Sequence, residues 1–185
     1  MFLDRLAAFV NVSREQAKKT QVTACLWGNP GTEVPKGSLA KLSTTEELFA
    51  LTKTVTISKD TLLGIELKVS DVNDLSLIIN TVTVSISPEE GDTEEALRDA
   101  LIEAVTSRFS DSLSTETVGD DGLRIIASDG VTDFSADVSG VLEIKSLGTP
   151  AVFAAKEAGR IYAPSGTLTK MVSNVSGVDS ITNYA

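Results

Sequence analysis

Two acidic stretches and one thiol are the first places to look for chemistry. Asp120 and Asp121 stand between Gly119 and Gly122, and carboxylates in a glycine-flanked loop can hold calcium. A helix-loop-helix calcium site needs oxygen ligands at alternate positions over about a dozen residues. This stretch does not supply them, and a plain hairpin turn accounts for it. Glu89-Glu90-Gly91-Asp92-Thr93-Glu94-Glu95 is the second stretch. It leads into a helical pattern, so capping and compensation of the helix dipole explain its charge. Cys25 is the one cysteine, and a reactive thiolate needs a neighbouring base or cation. The chain has no histidine. Ser-His-Asp and Cys-His arrangements are therefore excluded, as are zinc sites built on histidine or several cysteines. No Walker-type or dinucleotide-type glycine loop occurs. Paired carboxylates for glycoside hydrolysis stay open, because any two acids can meet in space, but no pair stands out. The expectation is a protein without catalytic, cofactor-binding or metal-ligating residues.

Charge narrows the partners. The 185 residues carry a formal net charge of -10. A phosphate-tracking protein needs clustered Lys and Arg, so nucleic acid is not expected as a partner. Anionic membrane surfaces are disfavoured for the same reason. Aromatic residues make up only 5% of the chain, and Trp27, Tyr162 and Tyr184 are scattered. No sugar-stacking platform is visible, and Trp27 reads as a core or interface residue. The start, Met1-Phe2-Leu3-Asp4-Arg5-Leu6, has charges inside its apolar run, unlike a signal peptide. No stretch reaches the roughly 20 apolar residues of a membrane span. These features predict a soluble protein made in a reducing cytoplasm, with Cys25 a small core residue.

The elements that would position any site follow from periodicity. Phe2, Leu3, Leu6, Ala7, Phe9 and Val10 have helical spacing, which predicts a helix within residues 1–19. From Thr20 the period becomes two, with Val22, Ala24 and Leu26 alternating with Thr23, Cys25 and Trp27. Gly28-Asn29-Pro30-Gly31 and Val34-Pro35-Lys36-Gly37 are turns. Short strands are predicted over 39–42, 49–52, 55–57 and 65–69. A longer one is predicted over 78–86. Leu97, Ala100, Leu101, Ala104, Val105 and Phe109 then mark an amphipathic helix, with Asp92 and Glu95 as its capping pair. Strands over 114–118, 123–127, 134–138 and 142–147 follow, with hairpin turns at Gly119-Asp120-Asp121-Gly122 and Ser128-Asp129-Gly130.

The fold class expected is α+β and mostly β. The middle, 72–148, reads as an inserted β-α-β-β-β-β unit, with junctions at Asp71-Val72-Asn73-Asp74 and Leu147-Gly148-Thr149-Pro150. Residues 20–71 and 149–185 are expected to form one discontinuous antiparallel β-domain, since surface turns tolerate insertion. Leu26, Leu39, Ile57, Leu67, Val152 and Leu168 are its expected core. Pro35-Lys36-Gly37-Ser38-Leu39 and Pro164-Ser165-Gly166-Thr167-Leu168 repeat one pattern, turn then strand. They read as quasi-equivalent ways into one sheet.

The flanks carry a family resemblance. Leu3-Asp4-Arg5-Leu6-Ala7-Ala8-Phe9 with Val12-Ser13-Arg14 resembles the helix that precedes the β-domain of the baseplate J-like family. Gly28-Asn29-Pro30-Gly31-Thr32-Glu33-Val34-Pro35-Lys36-Gly37-Ser38 resembles its GxxGTxIPxGT turn and strand. Glu157-Ala158-Gly159 with Ala163-Pro164-Ser165-Gly166-Thr167-Leu168 resembles a second such segment. Val175-Ser176-Gly177-Val178-Asp179-Ser180-Ile181-Thr182-Asn183 resembles the family's closing stretch. All four occur in the family's order.

The resemblance implies a baseplate wedge protein of contractile-tail bacteriophages and related contractile injection systems. Such a protein is a structural virion component made in the host cytoplasm. Its partners are other baseplate subunits. Copies pair as dimers within a ring around the tail tube, and that ring governs sheath contraction. The chain departs from the family at both ends and in its middle. It lacks the segment before the N-terminal helix. It also stops at Asn183-Tyr184-Ala185, where the family continues with an acidic GGxDxE stretch and a helical region. The resemblance therefore implies a fragment, with ring-building contacts in the missing part. A second reading is a carbohydrate- or receptor-binding β-module of a phage fibre or bacterial surface protein, which would expose an aromatic-lined groove.

Overall fold

The computed structural model describes residues 18–184, so the helix expected within residues 1–19 lies almost wholly outside it. Among the described residues the fold is α+β and mostly β, with strands that pair antiparallel. The strands are β1 (Gln21–Gly28), β2 (Glu33–Val34), β3 (Leu39–Leu42), β4 (Leu48–Leu51), β5 (Val55–Thr56), β6 (Gly64–Val69), β7 (Leu75–Ile79) and β8 (Val82–Ile86). Helix α1 (Glu94–Phe109) comes next. After it come β9 (Leu113–Val118), β10 (Gly122–Ala127), β11 (Ala136–Gly140), β12 (Leu142–Ala155), β13 (Leu168–Met171) and β14 (Val178–Thr182).

β12 organises the molecule. Its first half pairs with β6, from Leu142 opposite Val69 to Gly148 opposite Gly64, with a bulge between Ile144 and Ser146. Its second half pairs with β4 on that same edge. β1 runs along the other edge, from Gln21 opposite Ala154 to Gly28 opposite Leu147. Leu147-Gly148-Thr149-Pro150, expected as a junction, is therefore strand. The Gly and Pro misled for a physical reason. Pro150 lies where that edge passes from β6 to β4, so its missing N–H removes no ladder bond.

Two hydrophobic cores flank this spine. In the first, β6, β10 and β9 continue the sheet, α1 packs on it, and β11-β7-β8 form a second small sheet. Leu67, Leu77, Leu101, Val105, Leu123 and Leu147 are among its buried members. In the second, β13-β3-β4-β12-β1-β14 curl round until β14 lies beside β13, a six-strand barrel. It encloses Leu26, Leu42, Phe49, Phe153, Leu168 and Ile181. β1 is buried on both faces: Val22, Ala24 and Leu26 enter the barrel, while Cys25 and Trp27 join the first core. Its period of two thus separates one core from another rather than core from solvent.

Of the expected β-domain core residues, Leu26 and Leu168 are fully buried in the barrel, whereas Ile57 and Leu67 are fully buried in the first core instead. Leu39 and Val152 are half-buried, and their neighbours Ala40, Ala151 and Phe153 fill the barrel instead. A one-residue change of parity moves a strand's inward set to the other face. Residues 20–70 and 150–172 do share one sheet. The division at 72 and 148 meets that sheet twice. β6 lies between β12 and β10, and β12 runs across position 148.

Three further expectations need correction. The run 78–86 is a hairpin, not one strand: β7 and β8 pair from Leu75 opposite Ile86 to Ile79 opposite Val82. Asn80, at φ 54°, makes the turn. Asparagine tolerates this left-handed conformation, although neither Gly nor Pro announces it. The helix is capped by Thr93, whose hydroxyl accepts from the Ala96 N–H at 3.2 Å. Asp92 instead accepts from the Glu89 N–H at 2.7 Å and closes the preceding turn. Ser128-Asp129-Gly130 is a turn but joins no hairpin, because β10 and β11 belong to different sheets. The Asp129 carboxylate accepts from the backbone N–H groups of Val131 and Thr132 and from the Thr132 hydroxyl. These bonds hold its pKa down at about 2.

Candidate interaction surface

Of the segments that carry the resemblance, Leu3–Arg14 lies outside the described residues, and the other three converge on the barrel. The turns Pro35–Ser38 and Pro164–Thr167 are built alike. Gly37 and Gly166 have φ of 88° and 73°, a conformation open to glycine without a Cβ penalty. In each, the residue after the glycine donates twice to the proline carbonyl. Ser38 does so through N at 3.1 Å and Oγ at 2.7 Å, and Thr167 through N at 3.2 Å and Oγ1 at 2.6 Å. In each, the glycine N–H also donates to another strand's end, Leu51 O at 2.9 Å and Asn183 O at 2.6 Å. The strands they feed, β3 and β13, pair with each other. The two turns are thus quasi-equivalent and share a sheet.

The other segments lock onto these. Asn29 N–H donates to Gly177 O at 2.8 Å, which ties the first turn to the closing stretch. A Cβ on Gly28 would stand 2.1 Å from Gly177 O, so the approach demands glycine. Asn183 is fully buried. Its Oδ1 accepts from Leu168 N–H at 2.8 Å, and its Nδ2 donates to Pro164 O at 2.8 Å. A buried amide with its donor and acceptor both used fixes the seam between β13 and β14. This role of Asn183 leaves no trace in the sequence, since a lone Asn after a short strand carries no periodicity signal.

A second feature lies on the open face of the sheet. Trp27 sits on two glycines of neighbouring strands. A Cβ on Gly64 would come within 2.4 Å of its Cη2, and one on Gly148 within 3.0 Å of its Cε2. The Arg124 guanidinium lies over the indole, 5.1 Å from its centroid. Arg124 also donates to Glu66 at 2.7 Å and to Glu116 at 2.9 Å, a cross-strand ladder over β6, β10 and β9. Lys145 pairs with Glu143 at 2.6 Å, and Ser146 Oγ donates to Asp179 at 3.3 Å. Tyr184 closes one end, and burial pushes its hydroxyl pKa up. All of these side chains but Glu143 line a cleft of about 520 Å³. Glycines inside strands mark such close approaches, and that was the available signal.

The residues first suspected of chemistry have structural partners. Asp121 pairs with Lys68 at 2.5 Å, which holds its carboxyl below the usual range. Arg98, buried on α1, donates to the carbonyl of Asp120 and fastens the helix to that turn. Cys25 is fully buried, and burial pushes its thiol up to about 12. Trp27 is 6% exposed, so its ring is no open platform. Among the described residues, no group of three or more His, Cys, Asp or Glu side chains is placed to hold a metal ion. No described helix is long and apolar enough to cross a membrane. The fold class is thus α+β, a barrel sharing a strand with a helix-backed sheet pair. No family model matches the chain, and no curated protein matches it either.

Proposed function

We propose that the chain is a structural component of a contractile-tail baseplate, a wedge protein of the baseplate J-like kind. It acts through protein–protein surfaces around the tail tube and in the control of sheath contraction. Its partners on this reading are other baseplate subunits and, in the full-length protein, copies of itself paired as dimers within the ring. One observation carries the reading. The motif segments within the described residues meet in three dimensions, where they supply a Pro-x-Gly turn, a glycine contact and a buried asparagine. Motifs that serve packing suit a protein whose work is assembly.

Electron microscopy of the particle encoded beside this gene, with the chain tagged, tests the proposal. Label on the baseplate around the tube supports it. Label on a fibre or capsid, or a gene without tail-tube and sheath genes nearby, sinks it.

A further inference from the structure

The cleft over Trp27 is not used by the assembly reading, and its lining selects a ligand chemistry. Both cations are already held, Arg124 by Glu66 and Glu116 and Lys145 by Glu143. An anionic ligand would meet Glu66, Glu116 and Asp179 without a free cation to receive it. A cationic ligand would compete with Arg124 for Glu66 and Glu116, which leaves it only Asp179, already bonded to Ser146. An apolar ligand would strand the polar groups of Ser146, Ser180, Thr182 and Tyr184 without water. An uncharged ligand rich in hydroxyls meets none of these costs. Each hydroxyl both donates and accepts, so it can donate to the carboxylates and accept from serine, threonine and the remaining guanidinium N–H groups. The volume, about 520 Å³, lies within the range of small-molecule sites, roughly 300–1,000 Å³, and has room for a short saccharide. The ion ladder holds these groups in place before a ligand arrives, which lowers the ordering cost of binding. Arg124, its guanidinium carbon 5.1 Å from the Trp27 ring centroid, lies among the lining groups.

We propose that this cleft binds a neutral saccharide, with Glu116, Arg124, Asp179 and Ser180 as its polar contacts. The site borders the barrel seam, because Thr182 and Tyr184 flank Asn183, but it does not depend on the assembly proposal.

Trp27 is the one tryptophan of the chain, so its fluorescence reports the cleft directly. The full chain is titrated with neutral oligosaccharides built on glucose, galactose and N-acetylglucosamine, and with sialylated and uronate-containing ones. Calorimetry runs in parallel. The expected result is saturable binding of at least one neutral oligosaccharide. Glu116→Ala, at a half-exposed position, should weaken it about tenfold, the loss of one or two hydrogen bonds. Ser180→Tyr, at an exposed position, should abolish it by filling the cleft. No saturable binding by either method overturns the proposal. So does binding that Ser180→Tyr leaves unchanged, and so does a preference for the acidic sugars.

Discussion

The barrel and the helix-backed sheets solve the same problem, burying apolar strands, by different means. In the barrel the sheet curls on itself. Its ends are joined by turns and by the Asn183 amide. In the other half the sheet stays open at β9, and its apolar face is covered by α1 and by β11-β7-β8. The barrel's fixing points are backbone carbonyls and N–H groups met at short range. Those of the other half are side-chain charges: the Glu66–Arg124–Glu116 ladder, Lys68–Asp121, and Arg98 on the Asp120 carbonyl. The difference teaches where sequence requirements fall. Backbone-to-backbone closure demands glycine, proline and asparagine at fixed places. A covered sheet asks mainly for apolar periodicity and tolerates many charge patterns. Among the described residues, the recognisable motifs accordingly lie in the barrel.

The sharpest test removes one half. Ser58 N–H donates to Thr149 Oγ1 at 3.2 Å, so a short linker from Ser58 to Thr149 can replace 59–148. That protein should retain the barrel core and unfold in one cooperative thermal transition by circular dichroism. Excising only 72–148 leaves β6 without β10 and without the first half of β12. Ile65, Leu67 and Val69 then lose their cover, and this shorter deletion should aggregate. A stable, monomeric 72–148 deletion would show that β6 belongs with the barrel after all.

Whether the halves unfold separately is the next question. Phe153→Ala empties a fully buried barrel position, and Leu101→Ala empties one under the helix. Losses of about 3–5 and 2–5 kcal/mol are expected. β1 and β12 contribute to both cores, so each variant should lower one shared transition. Two transitions, each sensitive to only one variant, would break that coupling.

Asn183 tests the seam. Asn183→Ala leaves Leu168 N–H and Pro164 O without their partner inside the protein, at about 1–3 kcal/mol each. Hydrogen exchange at Leu168 should quicken while α1 amides stay protected. Equal acceleration in α1 would show that the seam is no local device.

Much of this architecture was legible. Short alternating runs and Pro-x-Gly turns marked most strands within a residue or two, and the repeat at Pro35 and Pro164 pointed to one shared sheet. What escaped has physical causes. β12 was cut at Gly148 because Gly and Pro usually end strands, and nothing local says that an edge changes partner there. The β7–β8 hairpin was hidden because Asn80 alone makes its turn. The cleft draws Trp27, Glu66, Glu116, Arg124, Lys145 and Asp179 from six strands or their flanks, and only the register brings them together.

The helix start offers the finest distinction between the halves, because its error was one residue. Asp92 and Thr93 are both cap-forming types, and Glu95 and Ala96 stand three residues beyond them. Geometry selects Thr93, whose backbone is extended at φ -123° and ψ 164° and whose hydroxyl meets Ala96 N–H. Thr93→Ala should cost about 1 kcal/mol, the ordinary worth of a cap. Asp92→Ala removes only the bond that closes an exposed turn, so it should cost less. Chemical denaturation with both variants in parallel checks the order. A larger loss at Asp92 would reverse the assignment, and with it the claim that the covered sheet's helix begins at Glu94.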